Sequence, residues 1–264
     1  MKLIMLGTGN ALVTECYNTC FILSHEGRNL LVDGGGGSTI LHQIKHAGFS
    51  LADIHDIFIT HTHIDHILGI IWVIRIIAQL MNRNFYSGDV NIYSHDEVIT
   101  MLYDLTNKLL LPYQTAYIDQ RIHMNIINDG EVRTIAGHEM KFFDVRSERT
   151  KQYGFTFTNH KLTFCGDEPC HESCECYVSG SDWLIHEAFC LHSQAERFRP
   201  YEKHHSTVKD VCELSERLSV KNLILCHTED ENIHRRKELY TLEGRQYFNG
   251  NIYIPDDLEA ITLY

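Results

Sequence analysis

Short apolar runs alternate along this chain with longer stretches that repeat apolar residues at helical spacing. Short runs bounded by glycine or polar residues predict strands, and helical spacing predicts helices. The predicted strands are residues 2–6, 20–23, 29–33, 54–60, 90–94, 131–135, 140–145, 154–158, 161–165, 183–185 and 222–226. The predicted helices are residues 39–47, 69–81, 97–110 and 207–218. Helices follow strands in both halves, so periodicity alone indicates a mixed α/β protein.

Composition and the absence of a linker-like segment predict one domain over residues 1–264. No internal repeat or Pro/Gly/Ser-rich linker divides the chain, which has only four prolines. A hydrophobic content of 44% and a charged content of 22% are typical of a soluble globular protein with a substantial core. The net charge of −12 argues against broad non-specific nucleic-acid binding, which needs a basic surface. A local basic site remains compatible with that charge.

The chain shows no membrane or export signal by pattern. The longest apolar stretch, residues 67–80, is interrupted by Gly69, Arg75 and Gln79, so we expect no membrane partner. The N-terminal apolar run is too short for a signal peptide and is predicted to be a strand. Nine scattered cysteines in a chain without such a signal predict reduced thiols and a cytoplasmic location.

The densest chemistry lies at residues 61–66, directly after the predicted strand 54–60. His61 and His63 are two residues apart, so on an extended segment they point to the same side. Asp65 and His66 follow where the chain turns, and they can face a second position nearby. Imidazole nitrogens and carboxylate oxygens are ligands of zinc, and also of manganese or iron. The segment therefore predicts a metal site, with a histidine-rich surface loop as the alternative.

Two metals need further ligands, and strand ends supply candidates. Asp167 follows a predicted strand and a glycine, where a carboxylate can bridge two cations or simply occupy a turn. His227 ends the predicted strand 222–226, where it is either a ligand or a surface histidine.

The His-x-His-x-Asp-His run resembles the metallo-β-lactamase superfamily, and further motifs resemble its ribonuclease Z branch. These motifs are residues 6–11 (LGTGNA), 31–36 (LVDGGG), 164–167 (FCGD) and 225–228 (LCHT), and the matches extend from residue 3 to about residue 230. The resemblance implies an αββα four-layer sandwich of class α/β with two divalent ions, zinc first and Mn²⁺ or Fe as alternatives. The implied ligands are His61, His63, Asp65, His66, Asp167 and His227, with Asp167 bridging and Asp33 orienting a metal-binding histidine.

Residues 183–188 (WLIHEA) and 203–208 (KHHSTV) also resemble that branch. The resemblance implies that Glu187 and His205 form a hydrogen-bonded pair that passes a proton to the leaving oxygen. It further implies that Asp65 binds a metal and acts as the general base. The alternative is that Glu187 and His205 are unrelated and form separate salt bridges.

One departure from the family pattern concerns the third histidine of the first metal site. The matching position holds Arg146, which stays protonated and cannot be a ligand. The first site would then be weak, leaving one ion, or His138 or His160 would replace the missing ligand. Arg146 could instead hold a substrate phosphate, because a guanidinium binds phosphate oxygens in pairs. A misalignment by a few residues is the remaining explanation.

A second departure is the inserted arm with which ribonuclease Z enzymes grip transfer RNA. The segments 154–167 and 167–186 are compact and carry no Gly/Lys-rich insertion. RNA is therefore an allowed but not a favoured substrate.

These features predict a metal-dependent phosphodiesterase in which a metal-bridged hydroxide attacks a small-molecule or nucleotide-type phosphodiester. The alternatives are a lactone, thioester or carboxylic-ester hydrolase of the same fold, or an impaired member that lost one metal site. The family often forms dimers, so a homodimer is compatible with the sequence. Cys170, Cys174 and Cys176 form either a reduced-thiol loop or a minor metal site, and the charged residues between 229 and 237 are predicted to be a solvated helix face.

Overall fold

The computed structural model describes residues 1–158 and 162–263. Its strands are β1 (Lys2–Gly7), β2 (Cys20–His25), β3 (Arg28–Val32), β4 (Asp56–Phe58), β5 (Val90–Ser94), β6 (Ile122–Ile126), β7 (Val132–Ile135), β8 (His138–Asp144), β9 (Tyr153–Phe157), β10 (Leu162–Phe164), β11 (Trp183–Glu187), β12 (Asn222–Cys226), β13 (Asn251–Tyr253) and β14 (Ala260–Thr262). Its helices are α1 (Thr39–His46), α2 (Ile64–Asn82), α3 (Asp96–Leu109), α4 (Pro112–Thr115), α5 (Glu175–Val178), α6 (Ala195–Phe198), α7 (Val208–Arg217) and α8 (Arg236–Gly244). Short 3₁₀ turns cover Leu51–Asp53, Glu172–Cys174, His192–Gln194 and Tyr201–Lys203.

The strands form two seven-stranded mixed sheets, ordered β14-β1-β2-β3-β4-β5-β6 and β13-β12-β11-β10-β9-β8-β7. Side chains alternate across each strand, so every central strand supplies two hydrophobic layers. In β1, Leu3 and Met5 pack between the two sheets, whereas Ile4 and Leu6 pack under the helices of the first sheet. A third apolar layer lies between the second sheet and helices α5, α7 and α8. This arrangement is the predicted αββα sandwich.

Half of each sheet is parallel, and this places the carboxyl ends of several strands together. Strands β3 to β6 are parallel neighbours, as are β10 to β13. The segments that follow β3, β4, β10 and β12 carry Asp33, His61, Asp167 and His227. Ligand sites of open α/β sheets lie at such carboxyl ends. The topology therefore brings motifs from distant parts of the chain to one edge of the sandwich.

Helix α2 is the longest helix of the described residues, and it begins five residues before the predicted start, at Ile64. By length and composition it could cross a membrane, with a mean hydropathy of 1.7, but 61% of its apolar window is buried inside the protein. Ile70, Ile74 and Ile77 pack against the first sheet. A buried core helix meets the same criteria, so this helix is weak evidence for a membrane span.

Several predicted elements differ from the structure in extent. The strand expected at 54–60 is confined to β4, because Leu51–Asp53 forms a capped 3₁₀ turn and the chain leaves the sheet after Phe58. The four strands expected between residues 131 and 165 do pair as antiparallel neighbours, β7 to β10. The helix predicted around residues 229–237 begins only at Arg236, as α8. Strands β6, β13 and β14 lie outside the predicted ranges, because their polar residues obscure the apolar alternation.

Candidate metal centre

Two groups of metal-ligand side chains meet at the carboxyl edge of the sheets. Within each group the ligand atoms lie within 4.8 Å of one another. The groups are Asp65, His66, Asp167 and His227, and His61, His63 and Asp167. All are buried except the half-buried His63. The structure thus brings together all six residues that the sequence proposes as metal ligands, with Asp167 common to both groups.

Asp167 occupies the centre of this arrangement. Its Oδ2 atom lies 3.5 Å from Nε2 of His61, 3.4 Å from Nε2 of His66 and 3.5 Å from Nε2 of His227. Burial opposes ionisation of Asp167, but these imidazoles hold its pKa well below the usual value. An ionised carboxylate surrounded by imidazole nitrogens from both groups suits a ligand that bridges two cations.

Buried polar atoms without partners test whether the residues fit metal ions. Five atoms of the two groups have no hydrogen-bond partner among the described residues: His61 Nε2, Asp65 Oδ2, His66 Nε2, Asp167 Oδ1 and His227 Nδ1. Leaving buried polar atoms unsatisfied is costly, and native proteins rarely do so without a ligand or water. Nitrogen and carboxylate donors in this number fit divalent transition metals such as zinc.

Asp33 fixes the orientation of His66. The Nδ1–H of His66 donates to Asp33 Oδ2 at 2.8 Å, which leaves Nε2 facing Asp65 and Asp167. The backbone N–H and the hydroxyl of Thr60 also donate to Asp33, each at 2.8 Å. Burial works against a charged imidazole, yet the carboxylates of Asp65 and Asp33 raise the pKa of His66 well above its usual value. This is the contact of a carboxylate that supports a metal-binding histidine.

The start of α2 positions Asp65 and His66. His63 precedes the helix with an extended backbone, and Asp65 lies in the first helical turn. The sequence places these residues in a turn before the helix, whereas the structure places them inside it. The positive end of the helix dipole favours a carboxylate at this position.

Glu187 and His205 lie beside the metal centre but are not hydrogen-bonded. Glu187 Oε1 accepts the backbone N–H of Ser206 at 2.5 Å, and its Oε2 is 3.7 Å from Nδ1 of His205. The His205 ring stacks on Phe189, with centroids 4.8 Å apart, and lies 5.3 Å from the ring of His227. Burial raises the pKa of Glu187 well above its usual value and lowers the pKa of His205 to about 4. Both groups are therefore biased towards their uncharged forms.

Arg146 points away from the metal centre. Its guanidinium is half exposed and pairs with Asp129 at 2.7 Å and Asp144 at 3.3 Å. It lines a neighbouring cavity of about 460 Å³ and belongs to neither ligand group. Of the proposed replacement ligands, His138 stacks on Phe157 at 4.8 Å outside both groups, and His160 lies outside the described residues.

A cavity of about 250 Å³ opens onto the two ligand groups. It is lined by Asn10, Ala11, Leu12, His63, Ile64, Asp65, Arg149, Asp167, Glu168, Phe189, Lys203, His205 and His227. Arg149 and Lys203 are charged residues that the sequence analysis missed. Only their positions in the sequence could have indicated a role in the site. Arg149 lies three residues after Arg146, and Lys203 directly precedes the histidine pair 204–205.

A family model described as the anti-Pycsar protein Apyc1 matches residues 1–245. The chain belongs to the anti-Pycsar protein Apyc1 family. Among curated relatives, the ribonuclease Z of Thermococcus sibiricus is 24% identical over 304 residues, covering 100% of this chain and 96% of that enzyme. The ribonuclease Z of Shouchella clausii is 25% identical over 324 residues, covering 100% of this chain and 97% of that enzyme.

Solved structures share the same architecture. The metallo-β-lactamase fold protein YhfI of Bacillus subtilis has a TM-score of 0.79 at 16% identity and covers 98% of each chain. The short form of human tRNase Z has a TM-score of 0.73 at 18% identity and covers 100% of each chain. A diphosphatase of the PhnP family has a TM-score of 0.73 at 17% identity, covering 98% of this chain and 96% of that one. The predicted fold is confirmed, and the protein is a ribonuclease Z-like member of the metallo-β-lactamase superfamily.

Proposed function

We propose that this protein is a metal-dependent hydrolase that cleaves small, nucleotide-type phosphodiesters. The observation that carries the proposal is the position of His205, which lines the same cavity as the two ligand groups around Asp167. A proton donor beside a dinuclear metal site suits an ester whose alkoxide leaving group must be protonated. Relatives named ribonuclease Z and a neighbour named as a diphosphatase support phosphate chemistry.

The two ligand groups support a proposed role for each of the predicted residues. His61, His63 and Asp167 would hold one cation, and Asp65, His66, Asp167 and His227 would hold the other. Bound divalent cations supply Lewis-acid polarisation of the phosphoryl oxygen and lower the pKa of a coordinated water. Asp65 accepts a proton from the attacking water as general base. Once the 3.7 Å separation between Glu187 and His205 closes to a hydrogen bond, His205 would give its Nε2 proton to the leaving oxygen while its Nδ1 takes up the proton of the uncharged Glu187.

Three observations favour a small substrate over a folded RNA. The cavity at the metal centre measures about 250 Å³. The described residues between β10 and β11 form only a 3₁₀ turn and the short helix α5. The alignment with the Thermococcus enzyme has 304 positions although this chain has 264 residues, so at least 40 positions face gaps in this chain. A shorter chain of net charge −12 offers little surface with which to grip RNA.

The test is a substrate panel on the metal-loaded protein. The panel holds bis-p-nitrophenyl phosphate, a cyclic mononucleotide, a linear dinucleotide, a transfer RNA precursor and a lactone. We expect turnover of the first three, with little activity on the precursor. Turnover of the lactone without any phosphodiester would overturn the proposal in favour of a carbon-ester hydrolase.

The role of His205 has its own signature in this panel. A nitrophenolate leaves without protonation, whereas a sugar alkoxide needs a proton. His205→Ala should therefore lower kcat about 100-fold or more for the nucleotides and much less for the nitrophenyl ester. His204→Ala is the matched control, because His204 lies outside the metal cavity. Equal losses for both substrates would remove His205 as the proton donor.

A further inference from the structure

The metal cavity contains two cations that lack an acidic partner. Among the described residues, neither Arg149 nor Lys203 has a carboxylate oxygen within 4.0 Å. Their contacts are with uncharged groups. Arg149 Nη2 donates to the backbone carbonyl of Glu202 at 3.3 Å, and Lys203 Nζ lies 4.7 Å from the ring centroid of Phe189. Neither cation forms an ion pair, and the one carboxylate besides the ligands Asp65 and Asp167 that lines the same cavity among the described residues is that of Glu168.

Neighbouring cations on the same segment are neutralised and do not line this cavity. Arg146 pairs with Asp129 and Asp144, and Lys151 Nζ lies 2.5 Å from Asp96 Oδ1. The cations of this region that form ion pairs therefore lie outside the cavity, whereas the two that form none line it. In a protein of net charge −12, two cations that form no ion pair give this cavity, which also contains Glu168, groups that can bind an anion.

The two cations approach the metal centre from different loops. Arg149 lies between β8 and β9, and Lys203 ends the 3₁₀ turn that precedes His205. The Phe189 ring contacts both the ammonium group of Lys203 and the ring of His205. Lys203 therefore lies near the proposed proton donor.

We propose that Arg149 and Lys203, the cation pair, bind the non-bridging oxygens of the substrate's phosphoryl group and select anionic esters over neutral ones. This inference rests on the proposed function. A phosphodiester carries one negative charge, and a guanidinium can donate two parallel hydrogen bonds to its oxygens. Lactones and carboxylic esters carry no such charge and gain nothing from the pair. Arg149, rather than Arg146, is therefore the arginine that we propose to bind the substrate phosphate.

The first experiment measures binding of inorganic phosphate by calorimetry to metal-loaded protein. The variants are Arg149→Gln and Lys203→Gln, with Arg149→Lys to separate charge from geometry. Each glutamine variant should weaken phosphate binding about tenfold, as expected for loss of a charge-assisted hydrogen bond. Arg149→Lys should restore part of the affinity. The matched controls Arg146→Gln and Lys151→Gln, whose cations are paired off the cavity, should change it less than twofold.

The second experiment separates this inference from the proposed function by kinetics. For bis-p-nitrophenyl phosphate, the glutamine variants should raise KM more than they lower kcat, while any hydrolysis of a lactone stays unchanged. If Arg149→Gln and Lys203→Gln both keep wild-type metal content and unaltered phosphate affinity, the cation pair does not bind the phosphoryl group. This conclusion would hold even if the protein is a phosphodiesterase. Weakened phosphate binding in a protein without phosphodiester turnover keeps the pair and overturns the proposed function instead.

Discussion

The Nδ1–H of His66 donates to Asp33 Oδ2 at 2.8 Å, and this single contact decides which nitrogen of His66 faces the metal centre. Asp33 holds a left-handed backbone conformation, with φ at 56°. Such strain in a residue other than glycine is kept only where its surroundings enforce it, and it is frequent at functional sites. Here the two hydrogen bonds from Thr60 hold Asp33 in place.

Replacing Asp33 should weaken metal binding without removing a ligand. Asp33→Ala leaves the His66 ring free to turn, so we expect metal affinity to fall about 10- to 100-fold. Competition with a chromophoric chelator measures the affinity. Asp53→Asn is the control, because its carboxylate caps an exposed turn and belongs to neither ligand group. An affinity equal to that of the wild type would show that Asp33 does not position His66.

Metal content should follow the two ligand groups. Plasma mass spectrometry of the wild type should give about two ions per chain. His63→Ala should lose one ion, because His63 belongs to only one group, and Asp167→Ala should lose both. Arg146→His should leave the number unchanged, since the Arg146 side chain is directed towards Asp129 and Asp144. A rise from one ion to two in Arg146→His would instead show that this position completes the first site.

Removing the metal should destabilise the fold. The centre buries unpartnered nitrogen and oxygen atoms, and ions that bind only the folded chain shift the unfolding equilibrium. At free metal one hundred times the dissociation constant, the gain is about 2.7 kcal/mol per ion. Urea unfolding with metal and with chelator measures the difference. The same comparison in Asp167→Ala should show almost none, and a full difference there would place the stabilising ion elsewhere.

Gly69 should be essential for seating α2. The backbone N–H of Gly69 donates to the Gly35 carbonyl at 2.8 Å, and the N–H of Gly34 donates to the His66 carbonyl at 2.9 Å. A Cβ on Gly69 would lie 1.8 Å from the Gly34 carbonyl oxygen, so helix and loop would have to separate. We expect Gly69→Ala to lower the free energy of unfolding by about 3 kcal/mol and to weaken metal binding with it.

The same loop provides the control for that prediction. A Cβ on Gly37 would meet nothing within 4 Å, and its φ is not positive. Gly37→Ala should therefore leave urea unfolding and metal affinity near wild-type values. Equal effects of the two substitutions would mean that glycine content, rather than the close approach at Gly69, matters for this loop.

Arg236 should stabilise the C-terminal part of the chain. The sequence assigns it to a solvated charged face, but the structure buries it completely. Its guanidinium donates to the hydroxyls of Thr228 and Thr8 and to the Pro255 carbonyl at 2.7 to 3.1 Å. Arg236→Ala leaves these acceptors unsatisfied, so we expect a loss of about 3 kcal/mol in urea unfolding. Lys237→Ala, which removes an exposed cation from the same helix, should cost less than about 1 kcal/mol.

The sequence alone predicted the residues of the two candidate ligand groups, because their residue types and spacing are local properties. His61, His63, Asp65 and His66 share one short segment, and Asp167 and His227 each follow an apolar strand. The resemblance of these segments to a known family also predicted the αββα sandwich. Local patterns did not predict the bounds of elements such as α2. Its first turn is set by contacts with Gly34 and Gly35.

Only the tertiary structure decided which charged side chains face the cavity. Arg146 and Arg149 are three residues apart, yet one pairs with aspartates off the cavity and the other lines it. Lys203 reaches the same cavity from a loop some fifty residues further along the chain. The burial of Arg236 likewise depends on Thr8 and Pro255. Such outcomes depend on how distant loops pack over the sheet edge, and no pattern within one segment carries that information.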